Sequence, residues 1–174
     1  MGTLLFDLLT PEEEAQDRYT AHLRFDVELL AGRLIDATHW ARQQEPGPGA
    51  IGYFGASTGA AAALIAAAAL GGEVGAVVSR GGRPDLAPDA LGRVRAPTLL
   101  IVGAADVAVI GLNEMAYERL PGEKELMLVP GAGHLFEEPG ALDKVAALAA
   151  DWFRRYLPPP VPAREGAPRE GRRA

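Results

Sequence analysis

The sequence predicts an α/β protein with three layers, in which a mostly parallel, doubly wound sheet carries helices on both faces. Short apolar runs alternate with longer stretches of helical periodicity, and proline or glycine separates many of these segments. The run 97–103 is apolar almost throughout, as a parallel strand covered on both faces should be. At 174 residues and without an internal repeat, the chain has the size of one domain.

The predicted elements follow one another along the chain. A first strand at 3–7 leads into a helix whose start has Thr10 as N-cap, Pro11 in the first turn and then three glutamates. Apolar residues keep helical spacing over 23–40, and the Pro/Gly-rich segment 45–49 ends that pattern. The remaining predicted elements are strands at 51–54, 74–79, 97–103 and 125–129 and helices at 60–70, 114–120 and 141–156.

Composition limits what the chain can bind. It contains no cysteine, which excludes disulfides, thiolate metal sites and a cysteine nucleophile and is compatible with the cytoplasm. We find neither a signal peptide nor a run of about 20 apolar residues, so we expect no membrane partner. The formal net charge of −6 argues against nucleic-acid binding.

We divide the chain into one folded domain, 1–157, and a tail, 158–174. The tail is rich in proline and arginine and has one branched aliphatic residue, Val161. Because so little apolar surface cannot offset the entropy lost on ordering, we expect the tail to be disordered.

The most informative motif is Gly-Ala-Ser-Thr-Gly at 55–59, which follows a predicted strand and opens an alanine-rich helix. In that context G-x-S-x-G is typical of a nucleophile elbow, a tight turn that strains the serine and exposes its hydroxyl. We expect Gly55 and Gly59 to be needed because any side chain there would crowd neighbouring backbone. Of the two serines in the chain, Ser57 and Ser79, one lies at the centre of the motif. The alternative is a glycine-rich turn with an N-cap serine.

Three residues follow predicted strands in an order known from catalytic triads. Ser57, Asp106 and His134 each come just after a strand, and ligands of parallel sheets bind outside the carboxyl ends of the strands. Ser57 would be the nucleophile, His134 its general base, and Asp106 the acceptor that fixes the histidine tautomer. The alternatives are that His134 is a loop histidine and that Asp106 is a helix N-cap.

Other polar residues lie near the same predicted edge. Arg80 and Arg83 follow the strand 74–79, where a guanidinium could clamp a carboxylate or phosphate of a substrate; a solvated loop is the alternative. Asp85 and Asp89 compete with Asp106, which we favour because its short connection to a strand holds it more rigidly. The remaining histidines lie in the first helical region, and no His/Asp/Glu spacing indicates a metal site.

These residues resemble the dienelactone hydrolase-like branch of the α/β-hydrolases, and the similarity extends over about 3–157. It rests on the elbow motif and on the segments 79–85, 97–106, 130–134 and 135–140. Segments 79–85 and 135–140 are similar to a subgroup in which some members are fused to a phosphoribosyltransferase domain. The resemblance implies a cytoplasmic, cofactor-free serine hydrolase that forms an acyl-enzyme on Ser57 with a small ester, lactone or related acyl compound. No long insertion follows strand 74–79, so we expect no cap domain.

One expected feature of the resemblance has no counterpart. In the family, a loop reading like His-Gly-x-Gly donates one backbone N–H of the oxyanion hole, and the residue after the nucleophile, here Thr58, donates the other. The chain begins at the family's next strand, 3–7, so we expect an N-terminally incomplete sheet that lacks a strand and a helix beside 51–54.

Losing one oxyanion donor typically costs about 10²–10³ in turnover. A non-catalytic or weakly active α/β binding or regulatory module is therefore the alternative function. A start assigned too far downstream, a minimal variant, and completion by a second copy or another chain are three explanations of the missing segment.

Overall fold

The computed structural model describes residues 2–44 and 49–158. Its centre is a parallel sheet in which four strands lie side by side in chain order. The strands are β1 (Ile51–Ala56), β2 (Val74–Arg80), β3 (Thr98–Gly103) and β4 (Lys124–Val129). The α-helices are α1 (Pro11–Thr20), α2 (Val27–Arg42), α3 (Thr58–Leu70), α4 (Pro88–Leu91), α5 (Val107–Arg119) and α6 (Ala141–Tyr156). This arrangement confirms the predicted α/β class with a parallel sheet.

The sheet separates two apolar clusters, which makes the fold three-layered. Val77 and Leu100 point into a cluster that also contains side chains of α2, α3 and α5. Their neighbours Val78 and Ile101 point to the opposite face, where they meet α6. This alternation follows from the two-residue period of a strand, and it leaves both central strands covered on both faces.

Helix α3 lies in the middle of the first cluster because alanine covers most of its surface. Residues 60–63, 66 and 67 are all alanine, and every one of them is buried. A helix that is apolar all round is typically buried on several sides, and here it packs on β1, β2 and α2. The small side chains thus permit close approach of the helix to the sheet.

The predicted strand 3–7 is wrong. In the structure these residues form no strand, and all of them are exposed. An apolar run becomes a strand only if another strand pairs with it, and the four-stranded sheet does not include this segment. Within the described residues, the sheet therefore has four strands where the sequence predicts five.

Two helix predictions need smaller corrections. The pattern over 23–40 is divided into a short 3-10 helix, Leu23–Phe25, and α2, because the Asp26 side chain accepts from the Leu29 N–H and starts a new helix. The helix predicted at 114–120 begins earlier, at Val107, directly after β3 and its short loop. The predicted tail lies outside the described residues except for Pro158.

The N-terminus of α1 is capped as predicted and is tied to α2. The Thr10 hydroxyl accepts from the Glu13 N–H, and the Glu13 carboxylate accepts from the Thr10 N–H, which forms a capping box. Arg33 of α2 donates to both carboxylate oxygens of Glu13 and to the Leu8 carbonyl. The hydrogen bond from Arg33 lowers the pKa of Glu13 from 4.5 to about 2.

We expect Glu13→Gln to destabilise the protein in a pH-dependent manner. Glutamine can keep the capping box, but it removes the charge that faces Arg33. Because the pKa of Glu13 is lowered on folding, the ion pair stabilises the protein above pH 4.5, and this contribution is lost as the pH falls towards about 2. Urea denaturation should therefore show E13Q to be less stable than wild type near neutral pH, with the difference vanishing in acid.

Glu12→Gln is the matched control because Glu12 is exposed in the same helical turn. It should change stability less than E13Q does. A destabilisation of E13Q that is equal in acid and at neutral pH would contradict the role given to the ion pair.

Candidate active site

Ser57 lies in a strained turn between β1 and α3. Its backbone angles are φ 50° and ψ −121°, a region that side-chain-bearing residues rarely adopt. The Ser57 N–H donates to the Arg80 carbonyl at 3.2 Å, and the Ser57 carbonyl accepts from the Arg83 N–H at 3.2 Å. The end of β2 and the loop after it therefore hold the serine in this conformation.

The two glycines of the motif differ in how much they are needed. A Cβ at Gly55 would lie 2.4 Å from the Gly59 carbonyl oxygen and 2.7 Å from backbone atoms of Ala60. At Gly59, a Cβ would meet no atom within 4 Å apart from the backbone of its own helix. The expectation that both positions require glycine is therefore correct for Gly55 and wrong for Gly59, whose position in the first turn of α3 faces open space.

Asp106 and His134 are joined by a hydrogen bond. Asp106 comes just after β3 and His134 follows β4, and His134 Nδ1 lies 2.7 Å from Asp106 Oδ2. The Asp106 side chain makes no capping bond to α5, so the N-cap alternative does not describe its carboxylate. The side chain of His134 is 39% exposed and that of Asp106 is 14% exposed. A proton on Nδ1 would leave Nε2 as the basic nitrogen.

Ser57 and His134 flank the same short segment at the end of β2. Ser57 bonds to the Arg80 carbonyl, while a Cβ placed on Gly81 would lie 3.2 Å from the His134 carbonyl oxygen. Within the described residues, the Ser57 hydroxyl makes no hydrogen bond with His134. Catalytic hydrogen bonds are often long or badly aligned without substrate, and they tighten in the bound complex.

The loop that carries His134 packs closely on the end of β3. A Cβ at Gly103 would lie 2.3 Å from the Ala132 carbonyl oxygen and 2.4 Å from that of Gly133. The Ala105 N–H also donates to the Ala132 carbonyl at 2.9 Å. Close approach at a glycine therefore sets the spacing between the loops of Asp106 and His134.

The Arg83 side chain forms an ion pair with Asp85. Two guanidinium nitrogens of Arg83 donate to the two carboxylate oxygens of Asp85 at 2.8 and 2.7 Å. This bonding lowers the pKa of Asp85 and raises that of Arg83. Asp85, a sequence candidate for the triad acid, is thus paired with Arg83, and Asp89 is exposed. Arg80 extends over the ring of Phe136 instead.

Sequence reasoning missed Asn113, which supports the loop behind Ser57. It is the only asparagine of the chain and is fully buried on α5. Its Nδ2 donates to the Gly82 carbonyl at 3.1 Å and to the Val109 carbonyl at 2.9 Å. A polar residue between the apolar positions Val109 and Ala116 on the buried side of a helix was the available signal.

The predicted oxyanion donor, Thr58, is the first residue of α3. The N–H groups of the first helical turn have no partner inside the helix and lie at its positive end, so they suit a developing negative charge. β1 lies at one end of the strand order, so β2 is its only strand partner in the described parts of the chain, and Phe54 is 50% exposed. A second oxyanion donor is not identified among the described residues.

Residues 2–44 and 49–158 contain neither a metal-binding cluster nor a membrane-spanning helix. No group of three or more His, Asp or Glu side chains in these ranges could hold a metal ion. None of the helices described there combines the length and the apolar character needed to cross a membrane.

Known proteins similar to this chain include hydrolases. A dienelactone hydrolase from Anabaena variabilis ATCC 29413 has 58% sequence identity and a TM-score of 0.84, over 87% of this chain and 71% of that one. The esterase domain of a Rhodothermus marinus protein has 20% identity and a TM-score of 0.63, over 74% and 70% of the two chains, which shows a shared fold. No family model matches the chain.

A curated relative carries a different kind of name. The Mycobacterium tuberculosis (strain ATCC 25618 / H37Rv) protein "Putative phosphoribosyl transferase Rv0571c" is 60% identical over 163 residues, which are 93% of this chain. The chain spans 36% of the length of that relative.

The two glycines of the elbow give a matched pair of substitutions. We expect Gly55→Ala to cost about 1–3 kcal/mol or more, because its methyl group would overlap backbone atoms that cannot move far. Gly59→Ala should be neutral or stabilise the protein by up to about 1 kcal/mol, since alanine favours a helix over glycine. Denaturant unfolding measures both values, and equal effects of the two variants would contradict this description of the turn.

Proposed function

Because the chain belongs to the dienelactone hydrolase-like branch of the α/β-hydrolase superfamily, we propose that it is a serine hydrolase. It would cleave a small ester, lactone or related acyl compound. The observation that carries this proposal is the 2.7 Å hydrogen bond between Asp106 and His134, at the sheet edge where Ser57 lies in a strained turn.

The reaction follows from the roles these groups can take. His134 Nε2 removes the proton from the Ser57 hydroxyl as the oxygen attacks the substrate carbonyl, and the resulting oxyanion accepts from the Thr58 N–H. His134 then protonates the leaving oxygen, the C–O bond breaks and an acyl-enzyme remains on Ser57. Water, deprotonated by His134, releases the acid and restores the serine. Asp106 orients His134 and stabilises its charged form throughout.

The surroundings of the pair favour an apolar acyl group. Val107, directly after Asp106, is 76% exposed, and Leu135, directly after His134, is 58% exposed. Each of these exposed apolar residues directly follows one member of the hydrogen-bonded pair in sequence. Arg83, a sequence candidate for binding a substrate anion, has its guanidinium engaged by Asp85. We therefore propose neutral substrates of modest size.

The alternative function is a weakly active or non-catalytic module. Its support is that a second oxyanion donor is not identified among the described residues, while one donor typically accounts for about 10²–10³ in turnover. The transferase name refers to a protein of which this chain matches 36%, so the activity of that whole protein is a separate question. The match covers 93% of this chain, a share large enough to include residues 55–134 of it.

We expect a fluorophosphonate probe to label the protein at Ser57. Ser57→Ala should abolish labelling, whereas Ser79→Ala should not, since Ser79 is the other serine of the chain and is fully buried. Asp106→Asn should slow labelling by about 10²–10⁴, because the wrong histidine tautomer is then favoured. Mass spectrometry of the labelled peptide gives the site. A folded wild-type protein that resists the probe would count against the proposal.

A second experiment separates the enzyme from the module. The chain can be joined to the part of the Anabaena variabilis dienelactone hydrolase that lies outside the match. If that part supplies a missing oxyanion donor, turnover of a p-nitrophenyl ester should rise by about 10²–10³. A folded chimera that remains as inactive as its Ser57→Ala variant would favour the module.

A further inference from the structure

Arg80 places its charged group against the loop that carries His134. The guanidinium carbon lies 5.5 Å from the centre of the Phe136 ring, over its face. Nη1 lies 3.5 Å from the Leu135 carbonyl oxygen, a long hydrogen bond. Nε is buried and has no hydrogen-bond partner within the described structure. The contacts of this cation are therefore with the residues that directly follow His134.

The loop needs such support because its backbone is strained. Phe136 has a φ of 59°, which is rare for a residue with a large side chain, and it is 1% exposed. A conformation of this kind persists only where the surroundings enforce it. Gly81 also lies against this loop, since a Cβ placed on Gly81 would lie 3.4 Å from the Phe136 ring. Arg80 and Gly81 together form the surface on which the loop rests.

The same residue also touches the nucleophile's turn. The Arg80 carbonyl accepts the N–H of Ser57 at 3.2 Å, while its side chain lies on Phe136. One residue at the end of β2 thus contacts the turn of the nucleophile through its backbone and the loop of the base through its side chain.

We propose that Arg80 is a positioning residue that sets the placement of His134 relative to Ser57. This differs from the substrate-anion clamp that the sequence suggests, because a guanidinium resting on Phe136 and Leu135 is directed at the protein. The proposal rests on the proposed function only in giving His134 a role as base. The placement of His134 by Arg80 can be measured without any activity.

The first comparison uses the full chain and three variants. Arg80→Ala removes the cation, and Arg80→Lys keeps a charge over the ring but loses the planar guanidinium. Arg155→Ala is the matched control, because Arg155 also lies over aromatic rings, 5.0 Å from that of Tyr156. Arg155 belongs to α6, and the neighbouring Trp152 bonds to the Pro97 carbonyl at the opposite end of the sheet.

Two readouts are compared, the ¹⁵N and ring-proton NMR signals of His134 and the rate of labelling by a neutral fluorophosphonate. A cation–π contact shifts an equilibrium by about 2- to 30-fold, so R80A should slow labelling by about that factor. It should also shift or broaden the His134 signals. R80K should recover part of both effects, and R155A should match wild type in both.

The Phe136→Leu variant tests the pathway of the effect. If Arg80 acts through the ring, R80A should add little in the F136L background, and the two substitutions should be non-additive. If R80A fails to fold, R80K against wild type, with and without F136L, provides the same comparison.

Three results decide the proposal. It is overturned if R80A leaves the His134 signals and the labelling rate as R155A does. It is also overturned if R80A changes only the KM of substrates that carry a carboxylate, because Arg80 would then be an anion clamp. If wild type resists the probe but its His134 signals depend on Arg80, the proposed function fails and the positioning role stands.

Discussion

The candidate site depends on the pairing of Ser57 with the segment that follows β2. A non-glycine residue in such a backbone conformation costs about 1–3 kcal/mol, which the surrounding structure must offset. The hydrogen bonds of Ser57 with Arg80 and Arg83 offset part of this cost. They form only if the loop 80–83 keeps its conformation. Asn113 holds that loop through the Gly82 carbonyl, inside the core. Buried contacts of the loop 80–83 with the core therefore help to hold Ser57 in its strained conformation.

The composition of α3 connects the core to the site. Because buried alanines line this helix, it lies close to β1 and β2, and its first N–H groups are brought to the end of the strand. Larger residues would push the helix away and move the Thr58 N–H with it. The loop after β2 is packed just as closely, since a Cβ placed on Gly82 would lie 2.0 Å from the Ser79 hydroxyl oxygen. Close packing thus determines where the donors of the site lie.

Local sequence signals predict much of this structure, and long-range contacts account for what they miss. The strands β1 to β4 and the strand-end positions of Ser57, Asp106 and His134 follow from apolar runs and turn residues, which are local. The strand expected at 3–7 fails because pairing requires a partner that an apolar pattern cannot supply. The partners of the Arg80 guanidinium, Leu135 and Phe136, are 55 and 56 residues away in sequence, so these side-chain contacts could not be predicted from the loop that carries Arg80.

The edge of β1 that faces away from β2 carries no strand in the described residues. This open edge separates two requirements of a serine hydrolase, the placement of the nucleophile and base and the stabilisation of the oxyanion. β1 is paired along its length with β2, from Ile51 to Ala56, and α3 packs on the same strand. In the described parts of the chain, the strand contacts that hold the turn at Ser57 near the His134 loop therefore come from the β2 side. An oxyanion donor on the opposite side of β1 would have to come from whatever lies along the open edge. The proposed nucleophile and base can therefore be placed from the β2 side, while stabilisation of an oxyanion depends also on the other side of β1, so labelling by a reactive probe and turnover of an ester need not fall together.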